Sequence, residues 1–568
     1  MSEEFRKNAP ASLAPIPFNV PQPYETEFEN GLKIVIFEDK RLPLVSYRLA
    51  FLAGDAHEKN DEFGLNSALA AMLTEGTENY TSLQLAEEIE RLGASISASS
   101  GDDNTVIGAS ALSLYTSDVL RLMAEIVLNP TIPESELDLY RRNSIENLKF
   151  QRSQASFLAN EQTARILYGE HPYGTISPTQ ADVEKLSREA LISRHKRTFI
   201  PNNAIFFVVG NIERDEIIGE IKEKFGDWQR GQTETIEFPT LATRTEKTLT
   251  IVDRQGSAQS NIVLSSLAIE RKNPDYFPFL LMNQILGAGA SSRIFMNLRE
   301  EKGYTYGAYS RFDTKRLAGD FEATAEVRTA VTGESLKEFF YELNRIRDEQ
   351  VSEVELQDAK NFLAGVFPIR AETQEGLTGL IVSQKLADLP DDYLQTYRDK
   401  VNAVTIEEVE RVAKKYIQPD KMAIVIVGDG ADVLAQAKEY ADKIEIYDTE
   451  GNKQEIEKYM QDENAESTNV AGNWSLTIDF QGQSLPVKLN LQQDGDSVSG
   501  KLESMLGEGE IADGKIRGNK LSAVAKTEMQ GQTLELAISG TVENDTLNGT
   551  LTTPMIPMPL DFTGKRED

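Results

Sequence analysis

The sequence predicts an α+β protein: one α/β domain present twice, followed by a small all-β barrel or sandwich. Three observations predict it. The stretch Pro201–Asn211 recurs as residues 419–429, with Pro201 standing against Pro419 and Gly210 against Gly428 at one constant offset. Strands and a long helix lead up to each copy in the same order. After residue 470 the chain turns to short alternating strands broken by Asp494-Gly495, Asp513-Gly514, Gly518-Asn519 and Asn544-Asp545, all turn signals.

Taken in order, residues 1–24 are rich in Pro, Asn and Ser and read as an extended arm. The first domain spans 25–235. It opens on two strands, Leu32–Phe37 and Pro43–Phe51. A helix from Phe63 to Glu75 stops at Gly76, and further helices are expected near 81–92, 116–127, 134–168 and 187–199. Residues 94–112 read as a strand pair. The second domain spans 236–448, with strands near 247–253 and 261–269, one helix over 275–302, and helices near 332–348, 353–366 and 405–416. Residues 449–470 are charged and poor in large apolar side chains, as a linker is. Residues 471–568 form the β domain, with Trp474 as its core anchor.

Composition narrows the functional classes. With 91 acidic against 59 basic residues, the net charge of −32 repels phosphate, so nucleic acid is excluded as the main partner and basic peptides are favoured. No apolar run approaches the roughly 20 residues that span a bilayer. The N-terminus lacks the apolar core of a signal peptide, which leaves the compartment open between cytoplasm and, if a signal has been removed, periplasm. There is no cysteine, so thiolate catalysis and cysteine zinc sites are impossible, and the only histidines are His57, His171 and His195.

One stretch organises the second domain. Leu298 closes an apolar run, Gly303 suits a helix C-terminus, and Tyr304, Tyr306 and Ala308 then alternate with polar or small residues as a strand does. This turn brings Arg299 on the last helical turn close to Tyr306 at the head of the strand. A guanidinium and a phenol so placed can grip a peptide carbonyl or a carboxylate. The other reading pairs Arg299 with a nearby acid and packs Tyr306 in the core.

In the first domain, Leu65, Ala68, Leu69, Met72 and Leu73 form a buried helical stripe, and Ser67, Ala70, Ala71 and Thr74 face the other way. The frame Gly64-Leu65…Gly76-Thr77, the L-R-x-E-K-G-x-x-Y setting of Arg299 and Tyr306, Leu92-Gly93-Ala94 and Tyr168–Gly174 together resemble the pitrilysin family. That family of inverted-motif zinc peptidases includes insulin-degrading enzyme, the mitochondrial processing peptidase and two-subunit bacterial relatives. The resemblance covers residues 25–448 and implies two repeated domains, each an antiparallel-rich sheet packed with helices.

Catalytic members of the family carry H-x-x-E-H on the first-domain helix, two His binding zinc and the Glu activating water. In register, those positions here are Ser67, Ala70 and Ala71, a degenerate motif. No two of the three histidines lie four apart, so the motif exists nowhere in the chain. The family's distal zinc ligand falls near Glu146 or Asn147. The resemblance therefore implies that this chain holds no metal and no cofactor. It implies instead that Arg299 and Tyr306, seven apart, hold a substrate backbone beside the zinc of a partner subunit. The short Gly287–Ala290 segment stands where the processing peptidase's non-catalytic subunit has a longer glycine-rich loop, and reads as a plain loop. The implied protein is a non-catalytic, substrate-binding subunit of a heterodimeric zinc metallopeptidase, inactive alone. Its partners are a homologous subunit carrying H-x-x-E-H and a peptide or unfolded protein. An inert scaffold or a peptide-binding homodimer of the same fold is the alternative.

Overall fold

The structure, a computed structural model, describes Val20 and residues 22–59, 62–233, 236–460, 467–480, 483–504, 507–529, 532–553 and 556–567. The expected arm over residues 1–24 lies mostly outside them.

Two sheets and a barrel make up the molecule. The first sheet contains β1 (Tyr24–Glu27), β2 (Lys33–Glu38), β3 (Leu44–Phe51), β4 (Ser95–Ser100), β5 (Thr105–Leu112) and β6 (Ala204–Gly210), in the order β1-β2-β6-β3-β5-β4. The second contains β7 (Thr248–Asp253), β8 (Gln259–Leu267), β9 (Thr305–Thr314), β10 (Gly319–Arg328), β11 (Ala423–Gly428), β12 (Lys443–Tyr447) and β13 (Lys453–Gln454), in the order β13-β12-β7-β11-β8-β10-β9. Five strands of each sheet follow the same order, β2-β6-β3-β5-β4 and β7-β11-β8-β10-β9. In each, the strand that arrives last in sequence lies parallel to the first and antiparallel to the second. Those late strands, β6 (AIFFVVG) and β11 (AIVIVG), are buried at every residue, because helices or chain cover both faces.

The covering is reciprocal. The helix Ala155–Tyr168 belongs to the first half in sequence, yet Leu158 and Ala159 pack against Val252, Val263, Val425 and Val427 of the second sheet. The helix Gln374–Leu386 belongs to the second half, yet its Leu377 and Ile381 share a core with Val35, Ala50, Phe207 and Val209 of the first. Burial of each such Leu or Ile contributes roughly 1.5–3 kcal/mol. Polar bonds fix the crossings. Tyr168 donates its hydroxyl to Asp320 at 2.6 Å, Gln374 Nε2 donates to the carbonyls of Asp39 and Leu44 at 3.1 and 3.2 Å, and Arg48 pairs with Glu375.

Three expected elements differ. The helix expected over 134–168 is two, Glu134–Arg152 and Ala155–Tyr168, and the break lets the second cross to the other sheet. The helix expected over 275–302 is also divided, into Tyr276–Leu286, Arg293–Phe295 and a π-helix, Met296–Glu301. Its break falls at Gly287, where a Cβ would come within 2.3 Å of the Ser310 amide of β9; without one the backbone comes close enough for its carbonyl to accept the Ser310 N–H at 2.8 Å. In the stretch read as linker, β13 extends the second sheet and Tyr459 is buried, its hydroxyl donating to Asp253 at 2.9 Å.

The third region is a closed antiparallel barrel of eight strands, β14 (Gly472–Phe480), β15 (Gln483–Asp494), β16 (Ser497–Ser504), β17 (Gly507–Arg517), β18 (Lys520–Met529), β19 (Gln532–Glu543), β20 (Thr546–Thr553) and β21 (Ile556–Glu567), each paired with the next and β21 with β14. Closure leaves no free edge. Trp474 is fully buried, donates its indole N–H to the Val470 carbonyl at 2.9 Å and lies 4.6 Å beneath the Arg566 guanidinium. Among the described residues no helix is long and apolar enough to cross a membrane.

Candidate functional site

Arg299 and Tyr306 each stand on irregular backbone. Arg299 lies in the π-helix Met296–Glu301, where the Lys302 N–H reaches the Asn297 carbonyl, five residues back, at 3.0 Å. Such wide turns recur at functional sites. Gly303, at φ +64°, ends the helix and hands the chain to β9. There the ladder slips. Ala308 faces Ala325 and Thr305 faces Val327, so Tyr306 and Gly307 together oppose Glu326 alone. This β-bulge re-aims the side chain it carries. Thr305 secures it, donating its hydroxyl to the Glu326 carbonyl at 2.6 Å and accepting from the Gly307 N–H at 3.1 Å. At Gly307 a Cβ would lie 2.7 Å from the Tyr309 ring, so the ring lies close over the bulge.

The result is exposure. Tyr306 is 92% exposed, the most accessible of the large apolar or aromatic side chains that stand out of the surface. A phenol placed there is open to solvent rather than packed in the core. The Arg299 side chain is 43% exposed, pairs with Glu300 and sits 5.0 Å over the Phe295 ring, which itself packs on Tyr309 at 5.4 Å. One Nη of the guanidinium is thus engaged by Glu300, the nearby acid of the alternative reading, while its flat face rests on Phe295.

The first-half helix in register with the family's metal motif is closed instead. The helix Leu65–Met72 starts at Gly64, φ +83°, and buries Leu65, Ala68, Leu69, Ala70 and Met72. Of the degenerate motif positions, Ala70 is buried, Ala71 is half-buried, and the Ser67 hydroxyl points to Asp55 at 3.4 Å. Asp55 also accepts from Ser100 at 2.6 Å, and burial raises its carboxyl above the ordinary range. Glu58 accepts the N–H groups of Gly64 and Asn66 at 2.9 and 2.5 Å, and burial pushes its pKa up to about 8. Asn66 accepts from the buried Arg194 at 2.8 Å. Glu146 faces outward and pairs with Lys149 at 2.7 Å, and Asn147 is exposed beside it.

These residues do not fit zinc. Ser67, Ala70 and Ala71 offer one hydroxyl and no imidazole or carboxylate, whereas a catalytic site needs three nitrogen or oxygen ligands. Among the described residues no group of three His, Asp or Glu is placed to hold a metal. The histidines serve the fold. His57 Nδ1 accepts the Gly54 N–H at 3.2 Å, His171 Nδ1 caps the Tyr173 N–H at 3.2 Å, and His195 Nε2 lies 2.8 Å from the Val127 carbonyl.

The sequence reading missed several residues that shape this site: Phe295, Asn297, Thr305 and Tyr309. Phe295 stands four residues before Arg299, a spacing that places both on one helical face and could have flagged it. The π-turn and the bulge leave no such trace in spacing.

The fold is an α+β scaffold built twice, and the positions in register with the metal motif of the resembled family hold Ser67, Ala70 and Ala71. Residues 33–176 match the profile "Insulinase (Peptidase family M16)" and residues 185–363 match "Peptidase M16 inactive domain". The chain belongs to the M16 peptidase family. It is 22% identical over 407 residues to "Uncharacterized zinc protease YmxG" of Bacillus subtilis, covering 71% of this chain and 97% of the relative. It is 21% identical over 406 residues to "Non-peptidase homolog YmxG" of Helicobacter pylori, covering 70% and 91%. Among solved structures, a peptidase M16 inactive domain from Pseudomonas fluorescens superposes with a TM-score of 0.68 at 26% identity, covering 72% of this chain and 98% of that one. A Helicobacter pylori protease gives the same TM-score at 19% identity, covering 72% and 100%, and shares the fold.

Proposed function

We propose that this chain is the non-catalytic, substrate-binding subunit of a two-subunit zinc peptidase, with Arg299 and Tyr306 contributed to an active site whose metal ligands belong to a homologous partner. One observation carries the reading: the chain displays Arg299 and Tyr306 on a π-turn and a bulge while its own metal positions hold Ser67, Ala70 and Ala71. A scaffold has no use for a phenol held out to solvent. The family's inactive-domain profile and the relative named a non-peptidase homolog agree with a subunit that does no chemistry alone. Arg299 and Tyr306 are donors, and an extended peptide presents carbonyls as acceptors. A donor aimed at charge that develops on a carbonyl oxygen is worth about 10²–10³ in turnover.

The test begins with affinity capture from native extract and mass spectrometry of what returns. A near-stoichiometric companion carrying H-x-x-E-H supports the reading, and the chain returning alone in good yield replaces it with a peptide-binding homodimer. In the assembled pair, Arg299→Ala should cut turnover about a hundredfold and leave assembly intact. Equal turnover for variant and parent removes the role given to Arg299.

A further inference from the structure

The π-helix that carries Arg299 is tied to a neighbouring helix by a cluster no motif announces. Asn297 is buried, and its side-chain amide donates to Glu338 at 3.0 Å and to Glu342 at 2.9 Å. Both acids lie on the helix Thr332–Asp348, four residues apart and so on one face. Two carboxylates side by side with little solvent repel each other, and the Glu338 and Glu342 side chains are only 14% and 3% exposed. The amide of Asn297 gives one hydrogen to each. Each acid also meets a cation: Lys302 reaches Glu338 at 3.3 Å and Arg345 reaches Glu342 at 3.4 Å.

The positions of these partners matter. Asn297 and Lys302 are the two ends of the π-turn, already joined through their backbones at 3.0 Å. Glu338 binds the side chains of both, so one carboxylate spans the wide turn from outside. Upstream, the Arg293 guanidinium makes a two-pronged pair with Glu355 at 2.7 and 3.1 Å, which fixes where the helix enters. With entry fixed, a relaxation of the wide turn to an ordinary α-turn would shift the register by one residue, about 100° around the axis. Arg299 lies inside that turn.

We propose that Asn297, Glu338 and Lys302 form a clasp across the π-turn and are the positioning residues for Arg299, holding its guanidinium over Phe295. The proposal rests on the reading of Arg299 as a substrate donor. It adds the device that keeps the donor aimed, and it explains why an amide, which can serve two acids at once, stands at position 297.

The test uses the full chain with two readouts. Binding of fluorescein-labelled unfolded casein is followed by anisotropy, and modification of Arg299 by phenylglyoxal is followed by mass spectrometry. Asn297→Ala should weaken casein binding about as much as Arg299→Ala, about tenfold, and the double variant should be no weaker than either. Arg299 modification should change several-fold in Asn297→Ala and in Lys302→Ala, and return to the parent rate in Lys302→Arg. The buried Arg293 serves as the internal control. Parent-like modification of Arg299 in both Asn297→Ala and Lys302→Ala overturns the clasp, as does full additivity in the double variant. If Asn297→Ala does not fold, the two Lys302 variants decide. If Arg299→Ala binds casein as the parent does, the substrate-binding reading falls, while the modification rates still judge the clasp.

Discussion

Two helices occupy the same slot in the two halves, just ahead of the edge strand of each sheet. Ser82–Arg91 leads into β4 through Gly93 at φ +59°, and Met296–Glu301 leads into β9 through Gly303 at φ +64°. The first is a regular α-helix with a capping box between Thr81 and Gln84. The second is a π-helix. β4 pairs with β5 without a slip, whereas β9 pairs with β10 around the bulge at Tyr306 and Gly307. One plan, folded twice, is regular in one copy and departs from regularity in the other at the two places that hold Arg299 and Tyr306. Irregular backbone is costly and persists where its surroundings over-determine it. Here Thr305, Asn297 and Glu338 do so. The first half has spent its polar groups differently, on a closed network of Asp55, Glu58, Asn66 and Arg194 around the helix that would carry a metal site.

The largest effect that would break this comparison is functional. Tyr306→Phe should reduce peptide affinity about tenfold, and Ser67→Ala, at a degenerate metal-motif position of the other half, should leave it unchanged. Anisotropy with labelled casein measures both, and a loss in Ser67→Ala would return the first half to the site. Next comes stability. Ala70→Glu places a carboxylate in a buried position and should destabilise the chain by about 2–4 kcal/mol in urea unfolding. Ser67→His and Ala71→His added to it should not yield bound zinc by elemental analysis, because Glu146 is turned outward to Lys149.

Smaller effects follow from charge. Glu58 has its folded pKa raised to about 8 from 4.5, so the folded state holds the proton more tightly than the unfolded one. Stability therefore falls as pH rises from 4.5 to 8. Glu58→Gln should recover about 1 kcal/mol at pH 8.5 and nothing at pH 4.5 in thermal melts. Glu355 has the opposite sign. Burial opposes its charge, but bonds from Arg293 and Ser352 prevail and hold it down to about 2. Its contribution is present above pH 4.5 and is lost as pH falls toward 2, so Glu355→Gln should blunt acid unfolding across that window alone.

Much of this was legible in the residues. The buried stripe Leu65, Ala68, Leu69, Met72 and Leu73 is buried as its spacing demands, and the paired prolines and glycines around β6 and β11 mark strands of equal place in the two sheets. The change of pattern after residue 470 reads as a β domain, though only the structure shows β21 returning to β14 to close it. The helices Gln374–Leu386 and Tyr393–Ala403 were not legible. The first buries Gln374, Thr378 and Gln384 along with its apolar residues, so its inward face has no clean hydrophobic period. The break near Ser153 was hidden for a related reason: Ala155–Tyr168 faces a foreign sheet, and periodicity cannot say which sheet a helix will meet. Ser67, Ala70 and Ala71 stand out only through the family resemblance, by their register with Gly64-Leu65 and Gly76-Thr77, since small residues carry no spacing signal of their own. The posture of Arg299 was not legible, since a π-turn depends on Asn297 finding Glu338, a residue 41 positions away.

The reciprocal crossing of Ala155–Tyr168 and Gln374–Leu386 has a consequence for how the chain is made. As the protein emerges from the ribosome, β6 completes the five-strand core of the first sheet at Gly210, yet one face of it waits for Leu377 and Ile381. Until then Val35, Phe207 and Val209 lie open to water, and the nascent chain carries an uncovered apolar face through the synthesis of well over a hundred residues. The two halves are thus copies in plan and joined in assembly: a fragment ending near residue 235 would hold the core on one face of its sheet and would still lack the helix that covers the other.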